Sequence, residues 1–269
     1  MKNQQALELH ETVLKIKEKK PLILCLTNTV TQDFVANSLL SLGAAPLMSN
    51  DAGELNDLLS LSSALYINGG TLNMDFITLT QIALYHARDL NIPVILDPVG
   101  AGASFLRTKY YKGIVQKACL VRGNASEIIS LGKNSSTLES KGLESKGVEA
   151  THSVEDACLT ARTLAQIHSL TVVVSGKQDF ITNNTDEKNL NYGSDLMPFV
   201  TGVGCSLTAV LAAFKAVIPD SFKAAYLGMM YFTVCGKIAH KVSKGPASFK
   251  EAFLDTLYLN DLNSLRENL

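Results

Sequence analysis

Apolar residues along this chain follow two rhythms. Short runs without strict alternation, PLILCLT (21–27), AAPLM (44–48), SALYIN (63–68), IPVILD (92–97), ACLVRG (118–123) and LTVVVSG (170–176), fit strands covered on both faces. Between them TQDFVANSLLSLG (31–43), NMDFITLTQIALYHARDL (73–90), SEIISLG (126–132) and VEDACLTARTLAQIH (154–168) carry apolar residues at i, i+3 and i+4. Strand alternating with helix predicts a parallel sheet wound with helices. After residue 176 the pattern changes to DFITNN (179–184) and EKNLNYG (187–193), and three helical stretches then fill most of 203–260. The opening MKNQQALELHETVLKIKEKK reads as an amphipathic charged helix.

Composition narrows the partners. A formal charge of −1, with 18% charged residues, supplies no electrostatic footprint for nucleic acid or an anionic membrane, so a small-molecule partner is expected. No apolar run reaches the length of a membrane span. Five cysteines, at 25, 119, 158, 205 and 235, stand singly, without zinc-site spacing or disulfide density, which suits a reducing cytoplasm. At 269 residues the chain fits one α/β domain, 1–269. Its least regular segment, 132–153, holds LESKG twice in tandem and reads as an enlarged surface loop without chemistry.

Four places have the character of strand ends, where open α/β sheets gather ligands. In ILDPVGAGASFLRT (95–108), Asp97 either faces a cleft or simply starts an Asp-Pro turn. In RGNASEII (122–129), Glu127 lies three residues after Asn124, the spacing of a capping box. Paired with Asp97 it also offers a second carboxylate for water-bound Mg²⁺ beside phosphates, with Arg122 as the phosphate's fixed cation. TGVGCSLTAV (201–210) turns through Gly202 and Gly204 into a helix, directing N–H groups and the helix dipole toward an anion. Cys205 there is either an apolar filler or part of that site. Asn28, Met48 and the Gly69–Gly70 pair outline a neutral, partly apolar pocket, or ordinary loops.

Taken together, TNTVTQDFVANSLLSLGAAPLMS, INGGTL, ILDPVGAGASFLRT, RGNASEI, VVVSGKQD, MPFVTGVGCSLTAV and KGPASF resemble the hydroxyethylthiazole kinases of thiamine salvage, over about residues 21–260. The resemblance implies a ribokinase-like α/β fold, a central mostly parallel sheet with helices on both faces. It implies transfer of the ATP γ-phosphoryl group to the hydroxyl of 4-methyl-5-(2-hydroxyethyl)thiazole with Mg²⁺. By the same resemblance Asn28, Met48, Gly70, Thr201 and Gly202 look like substrate-binding positions. Arg122, Ser175 and Lys177 look like ATP-binding positions, Asp97 and Glu127 like the carboxylates organising Mg²⁺. Thr201 to Cys205 match the anion hole, which gives Gly202, Gly204 and Cys205 catalytic roles. Cys205 stands where related kinases place a basic aspartate. A homotrimer with pockets at subunit boundaries is also implied.

The chain departs from that pattern at Ser175, where threonine is more usual, and at Val203, where threonine or alanine often stands. Gly69 replaces isoleucine, and SND follows Met48 in place of ADA-like residues. Competing expectations on the same scaffold are a hydroxymethylpyrimidine or pyridoxal kinase, an ATP-dependent dehydratase, and a silent nucleotide-binding regulator.

Overall fold

The structure, a computed structural model, describes residues 2–132 and 154–269. Helix α1 (Lys2–Lys19) precedes β1 (Leu22–Leu26), α2 (Gln32–Leu42), β2 (Ala45–Met48), α3 (Leu55–Leu61), β3 (Ala64–Asn68), α4 (Met74–Asp89) and β4 (Val94–Asp97). Next come α5 (Phe105–Ile114), β5 (Leu120–Asn124), α6 (Ala125–Gly132), α7 (Val154–His168) and β6 (Thr171–Ser175). Strands β7 (Asp179–Thr182) and β8 (Glu187–Leu190) lead to α8 (Val203–Val217), α9 (Ser221–Val242), α10 (Pro246–Leu259) and α11 (Leu262–Asn268).

The sheet runs β2-β1-β3-β4-β5-β6-β7-β8; the first six strands in that order are parallel, and β7 and β8 antiparallel. Each strand residue faces the side opposite its neighbour. Ile23, Cys25, Ala64, Tyr66 and Ile95 accordingly join a core beneath α1, α2, α8, α9 and α10, while Leu24, Leu26, Leu65, Ile67 and Leu96 join another beneath α3 to α7. Apolar burial on both faces explains why the strand sequences do not alternate.

Local signals set the helix ends. Gly43 closes α2 at φ 99°, a left-handed position, and gives its N–H to Leu39 and Leu40. Asn73 and Ser104 cap α4 and α5 through side-chain oxygens. Three helices lie outside the expected pattern, α3, α5 and α11. In α5 the buried face is mostly hydroxyl-bearing: Phe105 and Leu106 are exposed, while Thr108, Tyr110 and Tyr111 are buried together with Ile114. The tandem LESKG repeat lies outside the described residues. No helix among them is long and apolar enough to cross a membrane.

Candidate active site

All the strand-end candidates lie along one edge of the sheet, because parallel strands deliver their carboxyl ends to the same side. Asn28 follows β1, Met48 ends β2, Gly70 follows β3, Asp97 ends β4, Arg122 lies in β5 and Ser175 ends β6. Helix α8 packs on β3 and β4 beneath α1, α2 and α9, which brings its first turn over the same edge. A cavity of about 340 Å³ between Cys119, Thr171, Asn183 and Phe222 holds none of these residues.

Asp97 is fully buried. Its Oδ2 accepts from Thr208 Oγ1 at 2.9 Å and Asn68 Nδ2 at 3.2 Å, with Tyr66 Oη at 3.4 Å. The other oxygen, Oδ1, has no hydrogen-bond partner and lies 3.9 Å from Arg122 Nη1. Burial pushes this carboxyl up to about 7; Arg122 opposes the rise and Glu127 adds to it. An unpartnered buried carboxylate oxygen costs free energy unless something charged comes to meet it.

Glu127 is committed differently. Its Oε2 accepts from the Asn124 N–H at 2.9 Å while Asn124 Oδ1 accepts from the Glu127 N–H at 2.9 Å, a complete capping box. Its Oε1 accepts from the Gly100 N–H at 2.9 Å, which ties the turn after β4 to α6. The structural alternative for Glu127 is therefore realised, and each oxygen, with one N–H donor, keeps further acceptor capacity. An amide has one acceptor for these two N–H donors. Glu127→Gln should therefore lower the melting temperature as well as turnover, with about 1–3 kcal/mol lost at the orphaned donor. A variant that melts as the parent does would refute this bonding pattern.

The mouth of α8 starts without a side-chain cap: Gly202 occupies the N-cap at φ 95°. A cap contributes about 1 kcal/mol, whereas each fully buried large apolar side chain, such as Leu211 or Phe214, contributes about 1.5–3 kcal/mol. Packing thus holds this helix in place, and the Gly204 and Cys205 N–H groups stay without partners among the described residues. Cys205 is buried, with Asn28 Nδ2 at 3.6 Å from its sulfur and its carbonyl bonded by Tyr66 Oη at 3.0 Å. Burial, and then the Asp97 charge, push the thiol up, so it remains protonated at neutral pH. The lowering that a helix N-terminus by itself exerts on a thiol is outweighed here.

Arg122 reaches past Gly204 to Ser175. Its Nη2 donates to Ser175 Oγ, and its buried Nε has no partner. A Cβ on Gly204 would fall 2.7 Å from Nη1. Lys177 stands exposed in the β6–β7 turn, apart from this group. Sequence reasoning missed Asp179, buried at the start of β7, whose Oδ1 accepts from the Gly176 N–H at 3.1 Å. Burial raises it to about 7 against the pull of Gly176 N–H and Arg122. Its folded value lies above its unfolded one, so this group stabilises the fold at low pH and loses that contribution as pH rises toward and through 7. The ligand-free melting temperature should therefore fall between about pH 4 and pH 7, and Asp179→Asn should flatten that fall. An unchanged slope would contradict the assignment.

Asn28 and Gly70 meet: a Cβ on Gly70 would touch Asn28 at 3.0 Å. Asn28 Oδ1 accepts from the Val30 and Thr31 N–H groups, and its Nδ2 donates to Thr31 and Asn68. Asn68 thereby joins Asn28 to Asp97 through one amide, a link that no local sequence signal carries. Met48 lies beside Cys25 in the β1–β2 register, half-buried on the same edge. Thr201 is exposed and precedes the α8 mouth.

No cluster of three or more His, Cys, Asp or Glu with metal-binding geometry occurs among the described residues. The donor set fits Mg²⁺ held through water and phosphate, with one unpartnered carboxylate oxygen on Asp97 and spare lone pairs on Glu127.

Among known proteins, the model of the hydroxyethylthiazole kinase family matches residues 13–262. A hydroxyethylthiazole kinase of Chlamydia caviae is 42% identical over 261 residues, 96% of this chain and 97% of that one. That of Desulfotalea psychrophila is 39% identical, over 92% and 89%. The solved hydroxyethylthiazole kinase of Pyrococcus horikoshii superposes with a TM-score of 0.86 at 30% identity, over 96% and 95% of the two chains. A ribokinase-like protein of Enterococcus faecalis, TM-score 0.64 at 11% identity over 91% and 89%, shares the fold alone. With the family model spanning most of its length, the chain belongs to the hydroxyethylthiazole kinase family and has the ribokinase-like fold.

Proposed function

We propose that this protein transfers the γ-phosphoryl group of ATP to the primary alcohol of 4-methyl-5-(2-hydroxyethyl)thiazole. The observation that carries the reading is the meeting of three groups at one point: the unpartnered Asp97 Oδ1, the Arg122 guanidinium and the open N–H groups of α8. Cationic and N–H donors here receive a phosphate, and the carboxylate receives its counter-ion. Arg122 and Ser175 hold the ATP phosphates, with Lys177 able to reach from its turn. Asn28, Met48, Gly70, Thr201 and Gly202 hold the thiazole. Asp97 and Glu127 would hold Mg²⁺ through its waters, and the chemistry it would supply there is neutralisation of phosphate charge.

In-line transfer then relies on positioning and charge stabilisation. The Gly204 and Cys205 N–H groups take up charge developing on the transferred phosphoryl oxygens. Cys205, kept as a thiol, makes a poor base in the ground state, so the alcohol proton leaves late, as a largely dissociative transition state permits. A homotrimer in which a neighbour covers the acceptor pocket belongs to the same reading, with exposed Val30, beside Asn28, and exposed Phe199, before Thr201, as the apolar groups it would cover. A cytoplasmic location is part of the same reading and is supported by five cysteines that stand singly along the sequence, without the density of a disulfide framework.

An ATP-coupled assay with hydroxyethylthiazole, hydroxymethylpyrimidine and pyridoxal side by side tests it. Phosphorylated thiazole as the dominant product supports the reading; preference for either other alcohol, or ATP turnover without a phosphorylated alcohol, overturns it. For Cys205, alanine should leave turnover within about tenfold of the parent, since the backbone donors survive. Cys205→Asp should stay active but melt lower, because a carboxylate is buried beside Asp97. A folded, substrate-binding and inactive Asp variant would remove Cys205 from the base position.

A further inference from the structure

We infer that Arg107 and Tyr111, one turn apart on α5, are positioning residues that fix the acceptor wall to the phosphoryl end of the cleft. Both side chains leave the same face of the helix. Arg107 Nη1 donates to the Gly69 carbonyl at 2.7 Å and the Val99 carbonyl at 3.3 Å, and Nη2 donates to the Gly70 carbonyl at 2.9 Å. Tyr111 Oη, fully buried, accepts from the Gly69 N–H at 3.1 Å and donates to the Val99 carbonyl at 3.2 Å. Gly69 thus has both peptide groups held by α5. Val99, two residues beyond Asp97, accepts from both side chains.

These bonds join two loops that belong to different halves of the proposed reaction. Gly70 packs on Asn28, and the turn containing Val99 and Gly100 follows Asp97 and is bonded to Glu127. Their separation sets how far the acceptor hydroxyl stands from the phosphoryl group. A planar guanidinium spans two successive carbonyls and a third from the next loop; an ammonium is a point donor and does not reproduce that fork. Gly69 completes the fit, since a Cβ there would sit 2.8 Å from Tyr111 Oη.

The inference rests on the acceptor reading of Gly70, so its test has two arms. Arg107→Lys should raise the hydroxyethylthiazole KM about tenfold and leave the ATP KM within about twofold, because the two shorter guanidinium bonds hold the acceptor wall, while Val99 loses one bond and keeps that from Tyr111. Hydrogen exchange of the ligand-free variant should quicken in residues 68–71 and 99–101 and match the parent elsewhere. Tyr111→Phe, which keeps the ring in its core position, should show both effects to a smaller degree. Equal rises in both KM values, an unchanged acceptor KM, or unchanged exchange in the two loops would overturn the inference. A parent enzyme that leaves the thiazole unphosphorylated would instead sink the kinase reading, and the exchange arm would still decide whether α5 holds the two loops.

Discussion

Asp97→Asn should reduce thiazole phosphorylation at least about tenfold while the protein melts no lower than the parent. The two effects separate because the two oxygens do different things. Oδ2 is a structural acceptor for Thr208 and Asn68, and an asparagine oxygen can take those bonds. Oδ1 faces Arg122 without a partner, and an amide NH₂ there has no negative charge to offer a cation. Replacing a carboxyl that burial already pushes up to about 7 also removes the cost of ionising it in the interior. Circular-dichroism melts and steady-state turnover on one preparation check both halves. Near-parental turnover would show that Asp97 is a structural acceptor only.

Arg122→Ala should raise the ATP KM by about 10- to 100-fold, the loss expected for a charge-assisted phosphate contact, with little change in the thiazole KM. The guanidinium lies between Ser175 and Asp97, on the β5 and β6 side of the cleft, away from Asn28 and Gly70. Met48→Ala should show the opposite preference, since its thioether stands on the β2 edge, in the apolar part of the acceptor side. Measuring both KM values for both variants exposes any failure. Equal effects on the two substrates would abolish the division into nucleotide and acceptor halves.

The parallel strands were legible because each is an apolar run ending in polar or glycine residues, and the cleft followed from their shared carboxyl edge. Asp97 and Arg122 could be located in this way, whereas Ser175 came only from the family resemblance and the order of strands within the sheet only from the structure. Contacts that organise them could not. Thr208 sits mid-helix and Tyr66 and Asn68 sit in an apolar strand, so their bonds to Asp97 join residues 29 to 111 positions apart. Glu127 shows the reverse problem: a correctly read capping box and a cleft carboxylate are the same side chain. Helix α5 was hidden because two tyrosines and a threonine, with Ile114 alone among aliphatic groups, line its buried face while Phe105 and Leu106 point outward.

Gly204 looks, in a motif, like a glycine kept for a bending backbone. Its more pressing duty is spatial, since the atom it lacks would occupy the place of the Arg122 guanidinium. The two positions are 82 residues apart in the chain and share one volume. A side chain at 204 would therefore push the guanidinium, the free end of a long side chain, off its present place between Ser175 and Asp97. In descendants of this sequence a larger residue at 204 re-aims the cation at 122, while a small one leaves that aim as it stands.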